Sequence, residues 1–323
     1  MKLLHVSGSP HIRSALSTKI IMNSVTIALL PLVIVSVAVY EWNHIIPILL
    51  IGSFTAVISE GIFQKMFHLK LSYFDGSAFL TGLLLALTLG PRTPLWMPMI
   101  GSVVAIFSKQ VFGGLGQNPF NPALIGRAVL LLSWPIESTT WIQPIKVLTT
   151  ATPLSVYKMN EFGTVGLQKV FDTLGGTPSL AYKNLFLGFR SGSIGEVWIP
   201  ALLIGFIFLV VRKIVSLQAT VSFLITVIVL SYLFKLDILL MLMSGGILFA
   251  AFFMVTDYVT SPLLPGSQII YGVGIGLINM LIRKYSGMPE GTTFAILIMN
   301  LISPLLDFKI KNPTGFVKEK SKQ

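Results

Sequence analysis

The sequence predicts an all-α polytopic membrane protein with about ten transmembrane helices. Two features of the composition carry that prediction: hydrophobic residues make up 54% of the 323 residues, and charged residues only 11%, whereas a soluble domain usually carries about 25%. The third observation is that apolar runs near the length of a bilayer span recur along the chain. These features exclude a soluble enzyme, a disordered chain and a fibrous protein.

Ten apolar runs are predicted as helices: 20–40, 45–63, 77–90, 95–112, 122–134, 198–213, 216–234, 238–256, 267–283 and 292–306. Several are shorter than the roughly 20 residues of a straight span, and Pro or Gly stands at their ends. Non-helical backbone persists at membrane depth only where protein or water satisfies it. The third, fifth, eighth and tenth runs are therefore predicted to be broken or partial.

Two halves of five helices flank a stretch rich in Thr, Ser, Gly and Lys. Pro94 and Pro262 stand at matching positions in the halves, as do Thr93 and Ser261. Because the first half has an odd number of helices, the second half would enter the membrane from the opposite side, which is typical of an inverted repeat. Chance similarity between apolar segments is the alternative. The predicted division is an N-terminal segment 1–20, a first repeat 21–135, a loop 136–197, a second repeat 198–307 and a basic tail 308–323.

The net charge of +11 is read as a membrane-surface feature, because Lys and Arg lie at the ends of apolar runs. No nucleic acid partner is expected; the partner is the lipid bilayer. If the N-terminus is inside, most of the basic residues in short loops fall on the inner side: Lys2, Arg13, Lys19, Lys65, Lys70, Lys109, Arg212, Lys213 and the tail. The outer short loops then hold only Arg92, Lys235, Arg283 and Lys284. Both termini are therefore predicted to be cytoplasmic, with the loop 136–197 outside the cell membrane.

Metal and thiol chemistry is not expected of this chain. It has no cysteine, which excludes disulfides, thiolate zinc sites and chain-bound iron–sulfur clusters, and its four His residues are never spaced as a metal pair. Glu60 is the clearest intramembrane carboxylate, with Asp75 and Asp307 at helix ends, so a dedicated proton relay is poorly supported.

The segment Thr149-Thr150-Ala151-Thr152-Pro153-Leu154 in the loop is the first candidate site. The simplest interpretation is helix capping, with Thr152 as N-cap and Pro153 in the first turn. The same geometry would favour a phosphate esterified to Thr152, beside free backbone N–H groups.

Three further segments could bind a ligand. Asn118 and Asn121 lie in a Gly- and Pro-rich segment and could read the edge of a heterocycle, and Arg127 follows inside the fifth helix, where it needs a carboxylate or carbonyl partner or a ligand. Asp257 either caps a turn or binds a cation or hydroxyl. Glu290 and the threonines after it read as a tight turn into the last helix.

Together these segments resemble one family, the integral-membrane subunits RnfD and NqrB. The matching stretches cover nearly the whole chain in order: Ser9-Pro10-His11, Gly-Gln-Asn-Pro-Phe-Asn-Pro-Ala at 116–123, Thr-Ala-Thr-Pro-Leu at 150–154, Gly-Ser-Ile-Gly-Glu at 192–196, Phe-Phe-Met-Val-Thr-Asp at 252–257 and Pro-Glu-Gly-Thr-Thr-Phe-Ala-Ile-Leu at 289–297. About 20 residues precede the first helix, which is more similar to RnfD than to the longer NqrB chains.

The resemblance implies FMN bound through a phosphoester to Thr152, the last Thr of a (Ser/Thr)-(Gly/Thr)-Ala-Thr motif, and a non-covalent riboflavin within the helices. It implies an electron-relay subunit of a translocase-type oxidoreductase in a bacterial or archaeal cell membrane, which couples ferredoxin and NAD to Na⁺ or H⁺ transport. Implied partners are RnfA, RnfB, RnfC, RnfE and RnfG, and a flavin transferase for maturation.

Other functions stay open on the residues themselves. An NqrB-like subunit of a sodium-pumping NADH:quinone reductase is one. A channel or secondary transporter of the inverted-repeat type, with Thr152 only a cap, is another. A structural scaffold for partner subunits is the third.

Overall fold

The computed structural model describes residues 17–69, 75–143, 151–196, 198–288 and 290–309. Several sequence expectations fall outside these ranges: the motif residues Ser9, Pro10, His11, Thr149, Thr150 and Pro289, most of the segment 1–20, and the tail from 310 onward. The described residues form helices joined by turns, and no regular strand occurs among them.

Five helices make up the first half: α1 Thr18–Val39, α2 Trp42–Met66, α3 Ser77–Leu87, α4 Trp96–Val111 and α5 Pro122–Ser133. The middle of the chain contains α6 Pro135–Ser138, α7 Pro153–Met159, α8 Thr164–Leu174, α9 Pro178–Leu187 and a 3₁₀ turn Ile194–Glu196. The second half contains α10 Ile199–Val211, α11 Leu217–Leu233, α12 Ile238–Met243, α13 Ile247–Phe249 with a π-turn Ala250–Met254, α14 Pro265–Tyr285 and α15 Thr292–Lys309.

Every predicted apolar run lies on a helix or a broken pair of helices. The eighth run is broken, as predicted, between α12 and α13. The third and fifth are short, at 11 and 12 residues. The tenth was predicted to be broken or partial; α15 continues through Pro304 without a break, and its 18 residues are fewer than the roughly 20 of a straight span.

Three helices, α1, α2 and α14, are long and apolar enough to cross a membrane. Shorter apolar helices of 10–17 residues accompany them: α3, α5, α10, α11 and the part of α15 up to Asp307. Large side chains such as Ile34, Ile58 and Ile207 are more than half exposed, far more apolar surface than a soluble protein leaves in water. The chain is an all-helical membrane protein.

The predicted loop 136–197 is largely helical where it is described. Pro135, Pro153 and Pro178 each stand in the first turn of a helix, where the missing N–H costs nothing. α8 buries Val170 and Phe171 on one face. The polar composition of the stretch concealed these helices, because short helices need only one narrow apolar face.

Several helix contacts of the first half recur in the second. In the first half α2 contacts α3 and α4, and α4 contacts α5; in the second, α11 contacts α12 and α14, and α14 contacts α15. Contacts between α1 and α10 join the halves. Gly82 on α3 lies against the backbone of Gly52 on α2, where any Cβ would clash, so small residues set this close approach.

Candidate functional site

Thr152 is the N-cap of α7, as the capping interpretation predicted. Its Oγ1 accepts a hydrogen bond from the Ser155 backbone N at 3.2 Å and lies 2.8 Å from the Ser155 hydroxyl. The Ser155 hydroxyl in turn donates to the Thr152 carbonyl at 2.8 Å. Thr152 is 5% exposed, so its hydroxyl is held in a closed local network.

A second segment, Arg190 to Glu196, holds the Thr152 turn in place. The Ser191 hydroxyl donates to the Ala151 carbonyl at 2.8 Å. Arg190 donates from Nη2 to the Glu196 carbonyl at 3.1 Å, and the Ser193 hydroxyl donates to the Glu196 carboxylate at 2.7 Å. The loop that carries Thr152 is therefore bound to the turn that leads into the second half.

A cavity of about 400 Å³ opens beside this turn. Ala151 and Pro153, the two neighbours of Thr152, line it, and its other walls come from Gln143, Val156, Thr173, Leu174, Arg190 and Ser191. Small-molecule sites commonly measure about 300–1,000 Å³. The turn thus combines an acceptor hydroxyl with a space of ligand size.

Polar contacts anchor the helices of this region to the second half, and sequence reasoning missed them. The Lys158 ammonium donates to the Met288 carbonyl at 2.7 Å, and Tyr182 donates to the Asp237 carboxylate at 2.6 Å. Burial lowers the pKa of the Lys158 ammonium, and the charge on Arg283 lowers it further. Burial and the bond to Asp237 raise the pKa of the Tyr182 hydroxyl. Nothing in the sequence distinguishes these residues from ordinary loop positions.

Asn118 and Asn121 make hydrogen bonds within their own turn, and the Asn118 Oδ1 has no partner among the described residues. The Asn121 carboxamide oxygen caps α5, accepting from the backbone N of Ala123 at 3.1 Å and of Leu124 at 3.4 Å. The Asn118 amide donates to the Phe120 carbonyl at 3.0 Å. Neither residue lines the cavity beside Thr152.

Arg127 has the carboxylate partner that its position inside a helix predicted. Its Nη2 lies 3.5 Å from Glu290 Oε2, and its guanidinium carbon lies 5.6 Å from the centre of the Trp141 ring. The guanidinium is buried, and its Nη1 has no partner among the described residues. A small cavity between the halves is lined by Arg127, Glu196 and Glu290, so the structure brings together charges that are far apart in sequence.

Arg283 binds the break between α12 and α13. It donates from Nη1 to the Met241 carbonyl at 2.8 Å and from Nη2 to the carbonyls of Ser244 and Gly245, each at 2.9 Å. A buried cation thus satisfies carbonyls that a broken helix leaves free inside the membrane protein. The sequence placed Arg283 in an outer loop, which is wrong, because it is fully buried within α14.

Asp257 follows the π-turn and accepts a hydrogen bond from the Thr260 hydroxyl at 2.8 Å, in agreement with turn capping. It also lines a cavity with Phe252 and Phe253, and Phe252 stacks on Phe206 with ring centres 4.4 Å apart. That cavity holds about 40 Å³, well below the size of ordinary ligand sites.

Glu60, the predicted intramembrane carboxylate, forms a buried ion pair. The Lys109 ammonium lies 2.6 Å from Glu60 Oε1 and 2.6 Å from the Ser77 hydroxyl, and Gln110 donates to the same carboxylate oxygen at 3.1 Å. Lys109 was counted among the inner loop charges, which is wrong, because its side chain is 1% exposed. Among the described residues no group of three or more His, Asp or Glu side chains is placed to hold a metal ion.

Comparison with known proteins covers almost the whole chain. The profile of the NQR2, RnfD, RnfE family matches residues 5–314. The D-type subunit of a proton-translocating ferredoxin:NAD(+) oxidoreductase complex from Clostridium ljungdahlii is 41% identical, over 96% of this chain and 95% of its own. The D-type subunit of a Na(+)-translocating ferredoxin:NAD(+) oxidoreductase complex from Acetobacterium woodii is 42% identical, over 94% and 92%. The corresponding subunit of an ion-translocating oxidoreductase complex from Escherichia coli is 33% identical, over 95% and 96%. The chain belongs to the NQR2, RnfD, RnfE family.

Proposed function

We propose that this chain is the membrane electron-relay subunit of an ion-translocating ferredoxin:NAD⁺ oxidoreductase and carries FMN covalently on Thr152. The observation that carries the proposal is the Thr152 turn, where a threonine of the family's flavin-attachment motif stands beside a cavity of about 400 Å³. Full-length similarity to the D-type subunits of two such complexes supports the assignment of the complex.

The residues at the turn fit a flavin nucleotide. Thr152 would hold the phosphate as an ester, and the cavity between Val156, Leu174 and Arg190 would take up the rest of the nucleotide. Buried Arg190 has an Nε without a partner among the described residues, which suits an anionic ligand. When bound, the flavin supplies electron transfer. The chain's own residues fix the attachment point and exclude water around it.

The non-covalent riboflavin is proposed to bind between the helices. The cavity at Asp257 has aromatic walls but holds only about 40 Å³, so α1, α3 and α10 would have to part to admit a flavin there. Asn118, Asn121, Arg127 and Asp257 stay candidates for binding it.

The membrane arrangement is proposed as ten spans in two inverted halves, 21–135 and 198–307. The helix contacts that recur in both halves support the repeat. Both termini would be cytoplasmic and the loop 136–197 extracytoplasmic. Removing the buried Lys109 and Arg283 from the loop charges leaves the bias toward the inner side intact. RnfA, RnfB, RnfC, RnfE and RnfG are the proposed partners, and a flavin transferase would act on the outer side.

A transporter is the second candidate, favoured by one observation. The break between α12 and α13, with carbonyls gathered around Arg283, resembles the discontinuous helices at the substrate sites of secondary transporters. In that case Thr152 would be a cap and nothing more.

Flavin fluorescence and peptide mass separate the two functions. The chain, produced with a flavin transferase and the other subunits, should give a fluorescent band after denaturation and an FMN adduct on the peptide containing Thr152. Thr152→Ala should abolish both. Ser155→Ala is the matched control, because it removes the neighbouring hydroxyl and leaves the acceptor. A colourless, unmodified wild-type chain, or a band that survives Thr152→Ala, contradicts attachment at this residue.

A further inference from the structure

Arg190 is a buried cation without a carboxylate partner. Its side chain is 4% exposed, and no carboxylate oxygen among the described residues lies within the 4.0 Å of an ion pair. Every Asp and Glu of the sequence except Glu319 in the tail falls in the described ranges. The Glu196 carboxylate is occupied by the Ser193 hydroxyl, and Arg190 reaches only the Glu196 backbone carbonyl.

The other deeply buried cations of the described chain are compensated. Lys109 has the Glu60 carboxylate, Arg127 has Glu290, and Arg283 has three backbone carbonyls. Within the described ranges Arg190 has one carbonyl and no ion pair, and its Nε, like the Nε of Arg283 and the Nη1 of Arg127, has no hydrogen-bond partner. A buried charge is costly unless it is paired. The charge on Glu196 acts on Arg190 through space but forms no ion pair with it, so Arg190 can still pair with a further negative group.

The position of Arg190 indicates where that negative group lies. Arg190 lines the cavity of about 400 Å³ together with Ala151 and Pro153, which flank Thr152. The adjacent Ser191 is hydrogen-bonded to the Ala151 carbonyl, which fixes Arg190 beside the turn. The Arg190 side chain therefore lies between Glu196 on one side and, on the other, the space where a group esterified to Thr152 would sit.

We propose that Arg190 supplies the positive charge that stabilises the reduced state of the flavin nucleotide in this cavity, and so raises its reduction potential. This inference rests on the proposed attachment at Thr152. Reduction adds negative charge to the ligand, and a fixed cation in a buried site favours the more negative form. The ester phosphate has the same charge in both states, so a shift of the potential reports on the ring.

A redox titration of the covalent flavin tests the proposal in the assembled complex. Arg190→Gln should lower the ratio of reduced to oxidised flavin at least tenfold at a fixed ambient potential, which corresponds to about 30 mV for a two-electron couple or about 59 mV for one electron. Arg190→Lys should stay near the wild type, because it keeps the charge. Arg212→Gln is the matched control, an arginine whose guanidinium bonds Ser24 at another part of the molecule. Equal potentials in Arg190→Gln and Arg212→Gln overturn the proposal.

A comparison of melting temperatures in two backgrounds tests the proposal even if Arg190→Gln assembles poorly. In the flavin-bearing complex Arg190→Gln should lower the melting temperature, since a partner of the ligand is lost. In a Thr152→Ala background it should leave the temperature unchanged or raise it, since a buried charge without an ion pair is removed and no ligand is lost. An equal loss, or equal failure to assemble, in both backgrounds assigns Arg190 a purely structural role and overturns the proposal.

Failure of the proposed function has a different signature. If the Thr152 peptide of the wild-type complex carries no FMN adduct, the proposed attachment itself is contradicted. If the Thr152 peptide is modified and the reduction potential of its flavin is the same in the wild type and in Arg190→Gln, the flavin assignment stands and only the role of Arg190 is contradicted.

Discussion

Lys109 and Glu60 face each other with side chains 1% and 2% exposed, so neither charge has water as a substitute for its partner. Breaking a buried pair by removing one member typically costs about 3–5 kcal/mol, because the other charge is left unpaired. The same principle explains why Lys109, Arg127 and Arg283 each contact a carboxylate or carbonyl from a different segment of the chain.

Lys109→Met is expected to destabilise the purified chain by about 3–5 kcal/mol, because Glu60 stays buried without a cation. Adding Glu60→Gln to that variant should recover much of the loss. Thermal unfolding in detergent measures both, with Lys65→Met, an exposed lysine on α2, as the control. If Lys109→Met alone unfolds at the same temperature as Lys65→Met, the Lys109–Glu60 pair does not stabilise the fold.

The sequence predicted residue types better than residue partners. It predicted that Arg127 needs a carboxylate or carbonyl, and Thr152 a capping role, because both follow from local chemistry. It did not identify Glu290 as the partner, nor Arg190 as a residue of the Thr152 cavity, because those contacts join distant segments. A lone arginine between Phe189 and Ser191 gives no signal of its own.

At the scale of elements, the break between α12 and α13 depends on two glycines. Gly245 and Gly246 have φ angles of 65° and 69°, which residues with a Cβ adopt only with strain. A Cβ on Gly245 would meet the Arg283 guanidinium and lie 2.7 Å from Leu154 of α7. The break is thus fixed both by backbone conformation and by its neighbours.

Gly245→Ala is expected to cost at least about 2 kcal/mol, from the left-handed backbone and from displacement of Arg283. Gly287→Ala, at an exposed turn with open space for the Cβ, should be close to neutral. Melting temperatures of the two variants side by side test this. Similar values would mean that the break tolerates a side chain and is not held by Arg283.

The apolar runs predicted the positions of the helices well, because a helix that crosses a bilayer needs about 20 consecutive apolar residues. The same reasoning predicted the break in the eighth run from Gly and Pro at its ends, and for α15 it predicted a broken or partial helix, which is short but not broken. Pro304 lies inside α15 without interrupting it. Whether a proline ends a helix depends on neighbours that re-satisfy the freed carbonyl, and a single sequence does not show them.

At the scale of the whole molecule, the orientation in the membrane is testable because the chain has no cysteine. Gln168→Cys on α8 and Lys65→Cys on α2 each place one thiol at an exposed position. A membrane-impermeant maleimide should label Gln168→Cys in intact cells and Lys65→Cys only after the cells are opened. The reverse pattern would place the Thr152 loop in the cytoplasm.

The inward position of the Thr152 hydroxyl has a consequence for biogenesis. On the proposed route a transferase has poor access to the folded turn, because Thr152 is 5% exposed and its hydroxyl is engaged by Ser155. Esterification is therefore easiest before the closure of Ser191 over Ala151, and timing during synthesis becomes important. A polypeptide that folds around this turn before it meets its transferase would then be modified only as fast as the turn reopens, however much flavin donor arrives later.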